Sequence, residues 1–502
     1  MNIAQKIAKE STITFSGLLY GNVNRYLYTA LLARWVGVEY LGIYSLANAI
    51  VLICEVLAKM GLESGIMRFV SRLDPQQDRL QIRSMISSAL KMTGILSVMV
   101  MAILILGSGW LVKSVLDGSP LLHIVLIVFA LTMPFNAFTL VSAFATQGFK
   151  LMKYKVFVTQ IVNPTVLFGV MVLSFWFISK EAALILPMVM TGVIGCILIF
   201  KFLQSLSGVT IKSVLSTPFN KPLLTFSIPL MFVTILQTFM HWMDILMLGY
   251  FTDTSTVGLY HPAARTAGLL QVLLFSFLSI YAPILSQLHS KGEVNEMSRL
   301  CKLVSRWILT MAIPISLIFV LYPGKVMLLF GPEYMVSAPV LVILTGAAFI
   351  QAILGAPGAV LTMAGYTRLA LWNSLGAFVL NIIMNIILIP RYGIYGAAWA
   401  TLISLTAIGF TRVIEVHWIL KISFLSKKLL KPILAGIVTF GALMGVQPFI
   451  MGYHTLLTLS AVCFISVITF GAMLWILKFE PEDKDFLAGL GILKNAFKKG
   501  MK

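Results

Sequence analysis

The feature that most constrains this chain is a recurring run of apolar residues with few or no charges, found from one end of the sequence to the other. A helix needs about 20 apolar residues to cross the hydrocarbon core of a bilayer, and the runs reach that length. Only 11% of the residues are charged, whereas about a quarter are charged in soluble proteins. The sequence therefore predicts an all-α, polytopic membrane protein with no sizeable soluble domain.

We predict about fourteen spanning helices from these runs and call them spans 1 to 14 in chain order. Their expected bounds are 12–35, 41–63, 85–112, 121–146, 156–178, 181–206, 223–251, 258–288, 303–330, 337–364, 369–390, 394–420, 430–450 and 455–478. The opening residues MNIAQKIAKESTIT lack a cleavage-site pattern. We therefore expect span 1, rather than a removable signal peptide, to target the chain to the membrane.

Lys and Arg residues are unevenly distributed between the two sides of the predicted bundle. With a cytoplasmic N-terminus, the cytoplasmic segments carry 28 of the 37 Lys and Arg residues, the outer segments carry 5, and 4 lie inside spans. Cytoplasmic loops of membrane proteins are enriched in these residues. Both termini are therefore predicted to be cytoplasmic, and the net charge of +19 indicates membrane topology rather than nucleic-acid binding.

Two similar turns indicate an internal duplication, GIYSLANA at 42–49 and GLYHPAAR at 258–265. Their Gly, Tyr and Ala residues align at an offset of 216, although chance recurrence of Gly and Ala is an alternative. Transporters built from parallel repeats carry the substrate site at the interface between them. The expected domains are an N-lobe of spans 1–6 (1–206), a C-lobe of spans 7–12 (207–420), spans 13 and 14 (421–480) and a cytoplasmic tail (481–502).

Arg25 lies near the middle of span 1, and that span contains no acidic residue to neutralise it. A charge at mid-bilayer costs about 2.5–3.5 kcal/mol on insertion scales, so it normally faces a cavity or a partner. The planar guanidinium suits phosphate or carboxylate. We expect Arg265 of span 8 and His241, the span 7 counterpart of Arg25, to line the same cationic cavity. The alternative is a static bridge from Arg25 to Asp244, and a transporter could use both arrangements in different states. The neighbours in span 1 predicted to contact substrate are Asn22, Asn24 and Tyr28.

The stretch 381–401, NIIMNIILIPRYGIYGAAWAT, resembles the motif of spans 11 and 12 in a family of exporters. That family is the polysaccharide transporter branch of the multidrug/oligosaccharidyl-lipid/polysaccharide exporter superfamily, which holds the flippases for O-antigen, capsule and exopolysaccharide units. The N-terminal run GVEYLGIYSLANAI and the length are also similar. The resemblance implies two lobes around a central cavity that opens alternately to each side. It also implies that Arg25 and Arg265 engage a lipid-linked pyrophosphate.

Related peptidoglycan-precursor flippases carry a sodium site between spans 7, 11 and 12. The resemblance implies that the matching ion-coupling residues are Asp244, Asn381, Asn385, Ala397 through its carbonyl, and Thr401. Asn385 stands where those relatives carry an acid, which removes one negative charge. Coupling to Na⁺ and coupling to H⁺ through Asp244 both stay open, and interhelical hydrogen bonding is the alternative role of the two asparagines. No other cofactor is expected.

The function expected from this resemblance is translocation of an undecaprenyl-pyrophosphate oligosaccharide unit across the cytoplasmic (inner) membrane, with no covalent chemistry and no enzyme activity. The implied partners are the lipid-linked oligosaccharide, the bilayer, and a polysaccharide polymerase with its chain-length machinery. One alternative is a multidrug or cation antiporter of the same superfamily. A membrane glycan polymerase or ligase is disfavoured because those enzymes need a substantial external loop, and the outer connections here are short.

Overall fold

A computed structural model of the chain describes residues 3–74, 77–116, 118–423, 426–478, 480, 482 and 483. The predicted tail at 481–502 therefore lies outside the described residues, except for Glu482 and Asp483. Throughout the described part the regular secondary structure is helical. The α-helices are α1 Ile3–Val36, α2 Val38–Lys59, α3 Leu62–Ser71, α4 Arg79–Trp110, α5 Pro120–Gly148, α6 Met152–Val156, α7 Asn163–Phe177, α8 Lys180–Ser207, α9 Ile211–Ser216, α10 Lys221–Phe251, α11 Thr254–Ala267, α12 Leu269–Ser290, α13 Val294–Leu321, α14 Pro323–Met327, α15 Ala338–Met363, α16 Thr367–Tyr392, α17 Ile394–Leu420, α18 Leu430–Ile450 and α19 Thr455–Ile476.

These helices confirm the all-α class and the polytopic membrane character. Twelve helical stretches of the described chain are long and apolar enough to cross a membrane. The other two predicted spans correspond to α1 and to α11 followed by α12, so the expected count of about fourteen is compatible with the structure. The bounds of span 13, 430–450, coincide with those of α18.

The predicted end of span 9 (303–330) is wrong, and the helix that contains its predicted start begins earlier. Helix α13 runs from Val294 to Leu321. Its first residues are polar and were excluded from the span, but a helix can continue beyond the hydrocarbon. The helix stops before Tyr322 because the following Pro323 disfavours the helical conformation of the residue that precedes it.

Predicted span 2, 41–63, is interrupted near its end. Met60 has φ 48° and Gly61 has φ 70°, so the backbone enters the left-handed region at two successive residues. A Cβ on Gly61 would lie 2.4 Å from the Ser227 carbonyl oxygen of α10, which only glycine avoids. The chain therefore leaves α2 at Lys59 and starts α3 at Leu62 in a new direction.

Span 5 contains a π-helical segment, Phe157–Val162, between α6 and α7. In a π-helix each carbonyl accepts from the N–H five residues ahead, so the Thr159 carbonyl would pair with residue 164. That residue is Pro164, which has no N–H. The Thr159 carbonyl is therefore left for a donor from another helix.

Contacts within the chain define two compact units. Unit 1 comprises 1–266, 327–340 and 375–404, and unit 2 comprises 267–326, 341–374 and 405–502, as far as these residues are described. The core of unit 1 includes Leu62, Ile86 and Val141, whereas that of unit 2 includes Leu285 and Val360. This division follows packing and not the sequence repeat, so the two six-span lobes remain a prediction.

Candidate substrate and ion sites

Asp244 of α10 is the centre of a polar cluster within unit 1. Its Oδ2 accepts hydrogen bonds from the Tyr260 hydroxyl at 2.8 Å and from the Thr401 hydroxyl. Its Oδ1 accepts from Nδ2 of Asn385 at 2.9 Å and of Asn381 at 3.4 Å. Helices α10, α11, α16 and α17 therefore meet at one carboxylate.

The two asparagines also contact each other, since Asn385 Nδ2 donates to Asn381 Oδ1 at 3.1 Å. Their spacing of four residues places both side chains on one face of α16. The Oδ1 of Asn385 is buried and has no hydrogen-bond partner among the described residues. A half-turn of either amide would exchange its NH₂ group for its oxygen, and would present an acceptor to a bound cation.

The Asp244 cluster suits a small hard cation or a proton. Carboxylate, amide and hydroxyl oxygens are the ligands that hard cations prefer. Asp244 forms no ion pair with any Lys, Arg or His in the described part of the chain. Asp244 is the one acid among the residues of the cluster, so the cluster carries a single negative charge, which suits a monovalent cation.

Of the five residues predicted for ion coupling, the structure brings four into contact: Asp244, Asn381, Asn385 and Thr401. Ala397 is fully buried on α17, one turn before Thr401, and the role of its carbonyl as a ligand stays a prediction. Tyr260 was missed. The sequence marks Tyr260 only as the repeat counterpart of Tyr44 in the duplicated turn, which does not relate it to an ion site.

Arg25 points at the π-helical segment of span 5. Its Nη2 donates to the Thr159 carbonyl at 2.9 Å and its Nη1 donates to Gln160 Oε1 at 3.0 Å. The guanidinium thus satisfies the carbonyl that Pro164 leaves without a backbone partner. Five N–H groups are available on arginine, so donors remain for an anion. Gln160 was missed because nothing in one sequence pairs residues 135 positions apart.

Arg25 and Arg265 are close enough to interact electrostatically, and so are Arg265 and His241. The structure therefore gathers the three predicted cationic residues in one region of unit 1. Neither arginine forms an ion pair with a described acidic residue. The alternative bridge from Arg25 to Asp244 is accordingly not formed in this conformation.

Of the other three substrate residues predicted in span 1, two are held by α1 itself and the third is buried. Asn22 and Asn24 donate to backbone carbonyls one turn earlier, at 2.9 and 3.0 Å, which leaves their amide oxygens free to accept. Tyr28 is only 1% exposed, and its ring centroid lies 5.6 Å from that of Tyr44. Tyr28 is therefore out of reach of a substrate in this conformation.

Residues 7–289 match the family model described as polysaccharide biosynthesis protein. That match covers more than half of the chain. The chain belongs to the polysaccharide biosynthesis protein family. Residues 229–387 also match the MatE family model, which agrees with the expected relation to the multidrug and polysaccharide exporters.

Two relatives come from Haloferax volcanii. The probable low-salt glycan biosynthesis flippase Agl15 is 29% identical over 36% of this chain and 38% of its own length. The probable flippase AglR is 31% identical over 33% of this chain and 35% of its own length. The chain thus matches these curated relatives over little more than a third of their length.

Solved structures share the fold over most of the chain. The Lipid II flippase MurJ, in an inward closed conformation, has a TM-score of 0.68 at 14% identity and covers 94% of this chain and 99% of its own. An inward-facing MATE family multidrug resistance transporter has a TM-score of 0.64 at 12% identity, and the match covers 82% of this chain and 98% of the transporter. At these identities the likeness establishes the fold. The family and the fold are those of flippases and transporters rather than enzymes.

Proposed function

We propose that this chain is a flippase that moves a lipid-linked oligosaccharide, an undecaprenyl-pyrophosphate repeat unit, across the cytoplasmic membrane by alternating access. The observation that carries the proposal is the neighbouring pair Arg25 and Arg265, inside predicted spans and without an acidic partner among the described residues. Two partly buried guanidinium groups that interact electrostatically repel each other, and a pyrophosphate bound by both would relieve the repulsion.

The membrane orientation belongs to the same proposal. Both termini lie in the cytoplasm and α2 runs from the outer side at Val38 to the cytoplasmic side at Lys59. The substrate is loaded from the cytoplasm and handed to the polysaccharide polymerase and chain-length machinery outside. The glycan flippases among the relatives support this reading, as does the fold shared with a Lipid II flippase.

We further propose that the Asp244 cluster binds the coupling ion, Na⁺ or H⁺. Asp244 and His241 interact electrostatically, as do His241 and Arg265. Charge at Asp244 therefore changes the field at the cationic residues, which gives a physical link between the ion and an anionic substrate.

A second candidate is a multidrug or cation antiporter, favoured by the MatE match and by the lone carboxylate of Asp244. The arginine pair argues against it, because a cationic drug in the same region would be repelled. The two functions therefore predict opposite effects of removing an arginine.

The test is polysaccharide export in a deletion strain that carries variants at matched protein level. We expect Arg25→Ala and Arg265→Ala each to abolish surface polysaccharide, measured by blotting. Arg265→Ala is the cleaner variant, because Arg25→Ala also deprives the Thr159 carbonyl of its donor. Arg299→Ala, which removes an exposed arginine, is the matched control. Full export by both alanine variants, or gain of drug resistance, would contradict the proposal.

A further inference from the structure

Unit 1 contains a cavity of about 410 Å³ to which the function proposed above assigns no role. It is bounded by α2, α3, α5 and α10. Its volume is within the range of about 300–1,000 Å³ that is usual for small-molecule sites. The polar residues that line it are Lys59, Glu63, Ser64, Thr234, Thr238 and Trp242.

Glu63 is the unusual member of this lining. Its side chain is buried, with a relative exposure of 6%, and its Oε2 has no hydrogen-bond partner among the described residues. Lys59 does not neutralise it, because the Lys59 Nζ pairs with Glu55 Oε1 at 3.0 Å. A buried carboxylate without a partner is costly, so the occupant of the cavity must supply hydrogen-bond donors.

The break between α2 and α3 is what places Glu63 at the cavity. If α2 continued, Glu63 would lie one turn beyond Lys59 on the same helix face. The left-handed Met60 and Gly61 instead redirect the chain, and the close approach of Gly61 to the Ser227 carbonyl seats the turn against α10. Glu63 therefore lies in the first turn of α3, opposite the polar face of α10.

That face of α10 carries Thr234, Thr238 and Trp242 at intervals of four residues, which places them in one row. The Thr234 and Thr238 hydroxyls donate to carbonyls one turn earlier, at 3.0 and 2.8 Å. Each hydroxyl oxygen thus keeps a free acceptor position. The Trp242 ring is held by stacking on His261, with centroids 6.4 Å apart and planes 13° from parallel.

We propose that this cavity binds a sugar ring of the translocated glycan, a neutral pyranose such as a hexose or N-acetylhexosamine. A pyranose has an apolar face of C–H groups, which suits an indole, and a rim of hydroxyls, which suits a carboxylate and two hydroxyl acceptors. The His241 ring contacts that of Trp242, with centroids 5.2 Å apart, and His241 interacts electrostatically with Arg265. The sugar site therefore adjoins the cationic residues that would hold the pyrophosphate. This inference rests on the proposed flippase function.

The test compares two forms of one substrate in proteoliposomes. The glycan-bearing substrate is the lipid-linked oligosaccharide pool extracted from cells that lack the gene, and the sugar-free substrate is undecaprenyl pyrophosphate prepared separately. Mild acid treatment of part of the extracted pool serves only to release the oligosaccharide, because acid also cleaves the allylic pyrophosphate. We expect Trp242→Ala, Thr238→Val and Glu63→Gln to slow translocation of the glycan-bearing lipid about tenfold, the effect of losing one hydrogen bond or stacking contact of about 1.4 kcal/mol. Translocation of the sugar-free lipid stays unchanged.

The controls are Trp176→Ala, at an exposed tryptophan, and Thr411→Val, at an exposed threonine that donates to its own helix as Thr238 does. Neither control should change the translocation rate of either lipid. If the cavity variants slow both lipids equally, the sugar site is excluded while the flippase stands. Loss of a pH-gradient response in Glu63→Gln, with both lipids slowed alike, would instead make Glu63 a proton carrier.

A binding measurement separates this inference from the proposed function. The oligosaccharide released by the acid treatment is added to purified protein in detergent, and quenching of tryptophan fluorescence is compared between wild type and Trp242→Phe. Quenching that requires Trp242 supports the sugar site even if no lipid is translocated. Equal quenching in wild type and Trp242→Phe would overturn the sugar site.

Discussion

At the scale of single residues, Asp244 allows the most direct test of cation binding. Its two oxygens accept four hydrogen bonds from three other helices, and it is the only acid of the cluster. Asp244→Asn keeps the shape of the side chain and removes its charge. A cation that depends on that charge can then no longer bind.

We expect the gradient response of transport to disappear in Asp244→Asn. Transport by the wild-type protein in inverted vesicles should be faster with a Na⁺ gradient at constant pH, or with a pH gradient at constant Na⁺ concentration. Transport by the variant should respond to neither gradient. Asp253→Asn is the matched control, because Asp253 caps the Thr256 N–H at 2.8 Å in an exposed position. A variant that keeps the wild-type response would exclude the Asp244 cluster as the coupling site.

Much of this cluster was predictable from the sequence, and the reason is local spacing. Asn381, Asn385 and Thr401 lie within one motif, so a family resemblance assigns all three at once. Gln160 and Thr159 contact Arg25 across 135 and 134 residues, and no motif links them. Their contact depends on the missing N–H of Pro164, which becomes meaningful only once the π-helical segment is known.

At the scale of elements, apolar runs predict where helices lie but not where their backbones break. The interruption of span 2 depends on left-handed φ at Met60 and Gly61. The passage from α11 to α12 at Gly268 was also missed, although the backbone there keeps right-handed dihedral angles, φ −59° and ψ −19°. Hydropathy does not respond to dihedral angles, so neither kind of break can be seen in an apolar run.

Helices α2 and α11 cross in close backbone contact within unit 1. A Cβ on Gly42 would lie 1.7 Å from the Thr254 carbonyl oxygen, and one on Gly258 would lie 2.0 Å from the Val38 carbonyl oxygen. These two glycines are the repeat counterparts in the duplicated turns. Backbone contacts this close leave no room for a methyl group. In the proposed orientation the crossing lies on the outer side of unit 1.

We therefore expect Gly42→Ala to shift the population towards a conformation in which α2 and α11 are separated. Each 1.4 kcal/mol of strain specific to the packed state shifts the equilibrium tenfold. The measurement is the labelling rate of Thr254→Cys by a membrane-impermeant maleimide, with the four native cysteines replaced. The rate should rise in Gly42→Ala and stay unchanged in Gly94→Ala, where a Cβ meets no atom within 4 Å. Equal rates in all three proteins would contradict a gate at this crossing.

At the scale of the whole molecule, charged side chains hold the C-terminal end of the described chain within unit 2. Asp483 Oδ1 accepts from Arg306 Nη2 at 2.7 Å and from Trp307 Nε1 at 2.8 Å. Glu480 pairs with Lys428 at 2.8 Å and Lys431 at 2.7 Å. The sequence showed only a mixed-charge segment after span 14, because which charges pair depends on where the middle of α13 and the start of α18 lie in the fold.

This network gives the stability of the protein a defined dependence on pH. Hydrogen bonds from Lys428 and Lys431 lower the pKa of Glu480 from its ordinary value of 4.5 to about 2. A carboxylate with a depressed pKa stabilises the folded state above its ordinary pKa, and this contribution is lost as the pH falls through the lowered value. Glu480→Gln should therefore unfold at a lower temperature than wild type at pH 7, and the difference should vanish between pH 4.5 and about 2. The difference in unfolding temperature is measured in detergent, with intrinsic fluorescence as the signal for thermal unfolding. The control is Glu296→Gln, which removes an exposed ion pair with Arg299 and should lower the unfolding temperature less. Equal decreases in the two variants at pH 7 would show that the network does not hold the C-terminal end.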